Sequence, residues 1–157
     1  MGAAVLPLFP RNPRLDDARQ IARGAARVML HHGFSPIQEF ALPNQQRADL
    51  AGLAPGGDVM IVEVKSGLAD LRADQKWRGY LDYADLFYFA VSERFPLNAL
   101  PAEAGIIVAD GFDGAIVREA TRFALAPARR TALTRRFARA AAERLARATA
   151  LTPDAQR

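Results

Sequence analysis

Glu63 and Lys65 stand two residues apart in the stretch DVMIVEVKSG, Asp58 to Gly67, an apolar run that reads as a buried β-strand. Residues two apart on a strand share a face, so an acid and a base project together. Either they are ordinary solvent-facing charges, or this strand is one wall of a catalytic site. PGG at 55–57 reads as a hairpin loop between strands over 46–53 and 59–66. A loop centred on Gly56 sets Asp49 opposite Glu63 and Arg47 opposite Lys65, all four on one side of the sheet. A four-residue loop would put Leu50 opposite Glu63 instead. With the first register, Ala48, Leu50, Met60, Val62 and Val64 fall on the other side, which is the expected core.

Two carboxylates about 5 Å apart repel by roughly 3 kcal/mol at an effective dielectric near 20. A divalent cation between them turns that repulsion into coordination, and all-oxygen ligation suits magnesium, or manganese. Lys65 lies roughly 7 Å further along the same face. Its ammonium can hold or polarise a water there, or stabilise charge on a phosphoryl oxygen. Two acids, a cation and a lysine beside a basic surface make a phosphodiesterase-like site.

The elements that must position these groups follow from pattern. Residues 12–34, NPRLDDARQIARGAARVMLHHGF, read as a first helix: Pro13, Asp16 and Asp17 suit its start, and His31, His32 and Gly33 its end. Leu15, Ala18, Ile21 or Ala22, Ala25, Val28 and Met29 recur at helical spacing as its buried stripe. Strands are expected at 36–42, 46–53 and 59–66, then a helix at 68–84. A strand covered on both faces is expected at 86–91, and a hairpin of 106–109 with 115–120. A last helix, about 130–150, packs Leu133, Phe137, Ala141 and Leu145 at four-residue intervals, with arginines on its other sides. The expectation is one α/β domain over residues 1–157, a mixed central sheet flanked by helices.

Charge sharpens the picture. The net charge is +4, and the only lysines are Lys65 and Lys76. The final helix carries Arg129, Arg130, Arg135, Arg136, Arg139, Arg144 and Arg147 against Glu143 alone. Such a helix can neutralise phosphates, or it can be a solvated face. No cysteine is present, which excludes disulfides and thiolate metal sites and fits a cytoplasmic protein. The opening MGAAVLPLFP is interrupted by prolines and preceded by no basic region, so a signal peptide is not expected, and no apolar run approaches a membrane span.

RADL and IVEVKSG resemble the D-x(n)-E-x-K core of the PD-(D/E)XK nuclease superfamily. More narrowly, RADLAGL, IVEVKSGLADLRADQKWRGYLDYADLFYFAV and LPAEAGIIVADGFDGAIVREA resemble the bacterial MmcB-type DNA repair proteins, over roughly residues 34 to 120. The resemblance implies a restriction-endonuclease-like core and a magnesium-dependent endonuclease acting on DNA. Metal acids would map to Asp49 and Glu63, the catalytic lysine to Lys65, and a further metal oxygen to the Val64 carbonyl. Gln75 or Lys76 would stand near the attacking water, because related nucleases use a glutamine or lysine from the following helix. Arg47, Arg135, Arg136 and Arg139 would contact the DNA backbone; DNA repair proteins and a second copy of the chain are the partners the resemblance allows. The chain departs from the superfamily in two places: Ala48 stands before Asp49 where proline is frequent, and the first helix contains no glutamate, for which Gln20 or Glu39 could substitute.

Surface pairing is the simpler reading of Asp70, Asp74 and Arg78 at four-residue spacing. Trp77 and Tyr80 read as core anchors whose polar tips reach partners. Two rival functions remain open: a DNA-binding module that has lost turnover, and an adaptor that docks through the basic C-terminal helix.

Overall fold

The computed structural model describes residues 13–150; the MGAAVLPLFP stretch lies outside the described residues. Helix α1, Pro13–His31, buries Ile21, Ala25, Val28 and Met29, as the periodicity requires. The Leu15 side chain, expected in the same stripe, lies outside what is described. Gly33 adopts φ +81°, and the Phe34 N–H reaches back to the Met29 carbonyl at 2.9 Å, a left-handed stop that glycine makes without steric cost.

Strands β1 (Ser35–Ala41), β2 (Arg47–Leu53), β3 (Val59–Val64), β4 (Leu86–Val91), β5 (Gly105–Ala109) and β6 (Gly114–Arg118) form one six-stranded sheet in sequence order. The β3–β4 and β4–β5 pairs are parallel and the others antiparallel, so the sheet is mixed and the fold α/β. Between the two parallel neighbours in the centre, both faces are covered, which explains why VMIVEV and LFYFAV are apolar almost throughout. On one face α1 packs over Leu50, Met60, Val62, Tyr88 and Ile107. The other face gathers Ile61, Phe87, Phe89 and Ile106 under Trp77, Tyr80 and Leu133. No helix among the described residues is long and apolar enough to cross a membrane.

Three expectations change. The helix expected over 68–84 splits into α2 (Leu68–Ala73) and a 3₁₀ segment, Trp77–Tyr83. The cause is Asp74, whose Oδ1 accepts the Lys76 N–H at 3.0 Å, a local side-chain bond that competes with helix continuation. Beyond the break, the three-residue repeat of the 3₁₀ segment sets Trp77 and Tyr80 above one another, both stacked on Phe87.

Ala48 joins the Trp77 side of the core rather than the α1 side with Leu50. Here β1 carries Glu39 at φ +51°, and its pairing steps from Gln38↔Leu50 to Phe40↔Ala48. That local twist switches the alternation, so Ile37 and Phe40 lie in one layer. The face carrying Glu63 is consequently a second core, not a solvent face.

Helix α3, Pro127–Ala150, buries Leu133 and half-buries Phe137 and Ala140, but Ala141 and Leu145 are exposed, as is every residue from 141 to 150. Four-residue steps overshoot a 3.6-residue turn by about 40° each, so the stripe drifts off the core.

Candidate functional site

The hairpin keeps the register of a loop centred on Gly56. Pairing runs from Leu53↔Val59 to Leu50↔Val62 and ends there, so Asp49 and Glu63 lie one residue beyond the last pair. Gly57, at φ +93°, supplies the left-handed residue of the connecting turn. Asp49 Oδ2 accepts the Val64 N–H at 2.8 Å, which ties the acid of β2 to the end of β3.

Lys65 follows β3 directly, and its N–H donates to the Ala90 carbonyl of β4. Its side chain is nearly enclosed, 5% exposed, with the ammonium 2.8 Å from Asp74 Oδ2 and 3.4 Å from Glu63 Oε1. Glu63 is 12% exposed, and among the described residues its buried Oε2 has no donor in full hydrogen-bonding geometry, although the Tyr80 hydroxyl interacts with this carboxylate. Tyr80 closes the site from the 3₁₀ segment, its hydroxyl donating to the Arg47 carbonyl at 3.0 Å. Trp77, Phe87 and Phe89 form the floor, with ring centroids 5.0–5.6 Å apart.

This apolar floor sets the electrostatics. Burial, followed by repulsion from Asp49, pushes the Glu63 carboxyl up to about 7. Burial also raises Asp49, against the opposing Val64 N–H. Burial alone would lower Lys65, but the Asp74 hydrogen bond and the Glu63 charge hold its ammonium above the ordinary lysine value.

An incomplete carboxylate beside a second acid fits a hard divalent cation. Asp49 and Glu63 supply oxygens, and magnesium commonly takes one or two carboxylates and keeps waters in its remaining positions. Among the described residues no group of three or more histidines or acids could hold a metal, so any such centre relies on backbone or water oxygens beyond these two.

A family model described as DNA repair protein MmcB-like matches residues 10–152. The chain belongs to the MmcB-like DNA repair family. A solved structure described as a protein of unknown function from Silicibacter pomeroyi is similar to this MmcB-like chain at 40% identity and TM-score 0.81, covering 94% of this chain and 100% of its own. No curated protein matches.

Of the residues singled out from sequence, Asp49, Glu63, Val64 and Lys65 come together. Gln75 does not join them: it is exposed and donates to the Arg72 carbonyl at 3.0 Å. Lys76 is exposed, two residues from Asp74. Arg47 is not held opposite Lys65, because the β2–β3 pairing stops at Leu50↔Val62; it pairs with Glu39 instead. Asp70, Asp74 and Arg78 do not pair with one another as their spacing suggested. Asp70 accepts from Ser66, Asp74 faces Lys65, and Arg78 bonds Glu103 while lying over Trp77.

Arg135, Arg136 and Arg139 line a groove of about 520 Å³ between α3 and β1, with Glu39, Phe40 and Arg144. Several arginines of α3 also strap it to the sheet. Arg136 bonds the Ala41 carbonyl, Arg144 bonds those of Gln38 and Glu39, and Arg130 grips Asp85. Arg139 reaches Glu143 of its own helix, leaving both it and Arg135 exposed along the groove.

Asp74 is the residue that sequence reasoning set aside in favour of a surface pair. A helical reading of 68–84 turned it outward; the Asp74–Gln75 pair before Trp77 is the one signal that could have suggested a break.

Proposed function

We propose that this MmcB-like protein hydrolyses DNA phosphodiester bonds with magnesium, or manganese, on a PD-(D/E)XK-type core. One observation carries the reading: Asp49 and Glu63 converge in a sheltered place beside the Lys65 ammonium, where the buried Glu63 Oε2 has no donor in full hydrogen-bonding geometry among the described residues. A purely structural cluster has no reason to leave a buried carboxylate oxygen unmet.

Asp49 and Glu63 would hold the cation, with the Val64 carbonyl as a third oxygen. Once bound, such an ion would supply Lewis-acid polarisation of the phosphate and acidify water. Lys65 orients the attacking water and offers its ammonium to the developing negative charge; because that ammonium sits between two carboxylates, its role is donor rather than base. Arg47, Lys76 and the groove arginines Arg135, Arg136 and Arg139 neutralise flanking phosphates, and binding weakens steeply with salt.

The test is magnesium-dependent cutting of branched, mismatched, nicked and single-stranded DNA by the wild type and Lys65→Ala. Wild-type cleavage reduced at least about a hundredfold by the substitution is expected. If clean wild type cuts none of these substrates, or the variant cuts equally well, the hydrolytic reading is lost; salt-sensitive DNA binding without turnover then identifies a binding module.

A further inference from the structure

Asp74 belongs to neither metal acid nor lysine, yet it makes the shorter of the two contacts to the Lys65 ammonium, 2.8 Å against 3.4 Å from Glu63. Its own placement is fixed from two directions. Oδ1 accepts the Lys76 N–H at 3.0 Å, and the Asp74 N–H reaches the Leu71 carbonyl at 3.2 Å. Asp74 is 15% exposed on its side chain, so this contact is sheltered from water and salt.

We propose that Asp74 is the positioning residue of the site: it draws the Lys65 ammonium away from Glu63 and keeps Glu63 open to a divalent cation. The inference rests on the hydrolytic reading above and names the residue that keeps its two charged halves apart. An enclosed ammonium cannot stay unpaired. Asp70, the next acid nearby, is already engaged by the Ser66 N–H and hydroxyl. Without the Asp74 carboxylate, Lys65 falls onto Glu63, and a lysine charge occupies the place a cation needs. The break between α2 and the 3₁₀ segment thereby acquires a purpose, since it is the turn at residue 74 that aims this carboxylate inward.

Calorimetric titration of manganese chloride or magnesium chloride into the full chain separates this role from the general field of one more negative charge. Wild type, Asp74→Asn, Lys65→Met and the double variant form a cycle; methionine keeps the packed stem of the lysine without its charge. Asp74→Asn is expected to weaken cation binding roughly tenfold when Lys65 is present and less than about twofold when it is introduced on top of Lys65→Met. An equal loss in both backgrounds means Asp74 acts only through its charge, and no loss in either means it does not act on the cation; both outcomes overturn the proposal. A wild type that gives no binding heat removes the cation reading itself and this inference with it. If Asp74→Asn melts early, Asp74→Ser, which retains a short acceptor for the Lys76 N–H, takes its place in the cycle.

Discussion

Glu63 and Asp85 are both nearly enclosed acids beside a cation, and they are satisfied to opposite degrees. Asp85 is 1% exposed, and both its oxygens are used. Arg130 grips it in two bonds of 2.7 and 2.8 Å, and the Val59 N–H adds a third at 2.7 Å. Among the described residues Glu63 has one longer contact, to Lys65, and an oxygen with no donor in full hydrogen-bonding geometry, for which the Tyr80 hydroxyl is a weak substitute. Burial opposes ionisation at both, but at Asp85 the Arg130 and Val59 bonds overcome it and hold the carboxyl below its ordinary range, whereas Glu63 is left at about 7. Enclosure alone does not mark a site; unmet bonding does. Asp85 locks α3 to the β2–β3 turn, and Glu63 waits for something else.

That contrast can be broken at several points. The largest effect belongs to Asp85→Ala, which strands a half-buried arginine and should cost about 3–5 kcal/mol in denaturant unfolding at pH 7. Because the folded-state pKa of Asp85 lies below 3.8, its contribution is present above that value and fades as pH falls through the folded pKa. The gap between wild type and variant should therefore narrow in acid. An equal gap at pH 7 and pH 3 would show that packing, not charge, is being measured.

Glu63→Gln should do the reverse. With its pKa raised from 4.5 to about 7, folded Glu63 holds a proton that the unfolded chain has released, so wild-type stability falls as pH climbs through that window. Metal-free Glu63→Gln should then be more stable than wild type at pH 8 by on the order of 1 kcal/mol, and no more stable at pH 4, read by thermal melts in chelator. The smallest effect is at the rim of the Asp85 cluster. Arg122 meets Asp58 at 2.8 Å but is 58% exposed, so Arg122→Ala should leave the denaturant midpoint almost unmoved, and a clear drop would show that this rim pair matters.

Much of this was legible in the sequence because it rests on local rules. The position of PGG set a hairpin register, and β2 and β3 pair in that register from Leu53↔Val59 to Leu50↔Val62. The apolar run 86–91 appears with unchanged limits as β4. What was illegible depends on contacts between distant segments. Nothing near residue 74 announces that its carboxylate will meet Lys65, so helical periodicity ran on to residue 84. The twist at Glu39 is equally silent, since a glutamate is an uncommon choice for a positive φ. The arginines of α3 suggested phosphate contact by number; several prove to be straps to β1 and to Asp85, partners that spacing along one helix cannot reveal.

The enclosure of Lys65 has a practical side. Only two side chains in the chain carry an ε-amine, and one of them is 4% exposed while Lys76 faces solvent. Among side-chain amines, an acylating dye is thus steered to Lys76, two positions from Asp74. With the α-amine blocked, a fluorophore there would report on events near Asp74 without touching the buried amine.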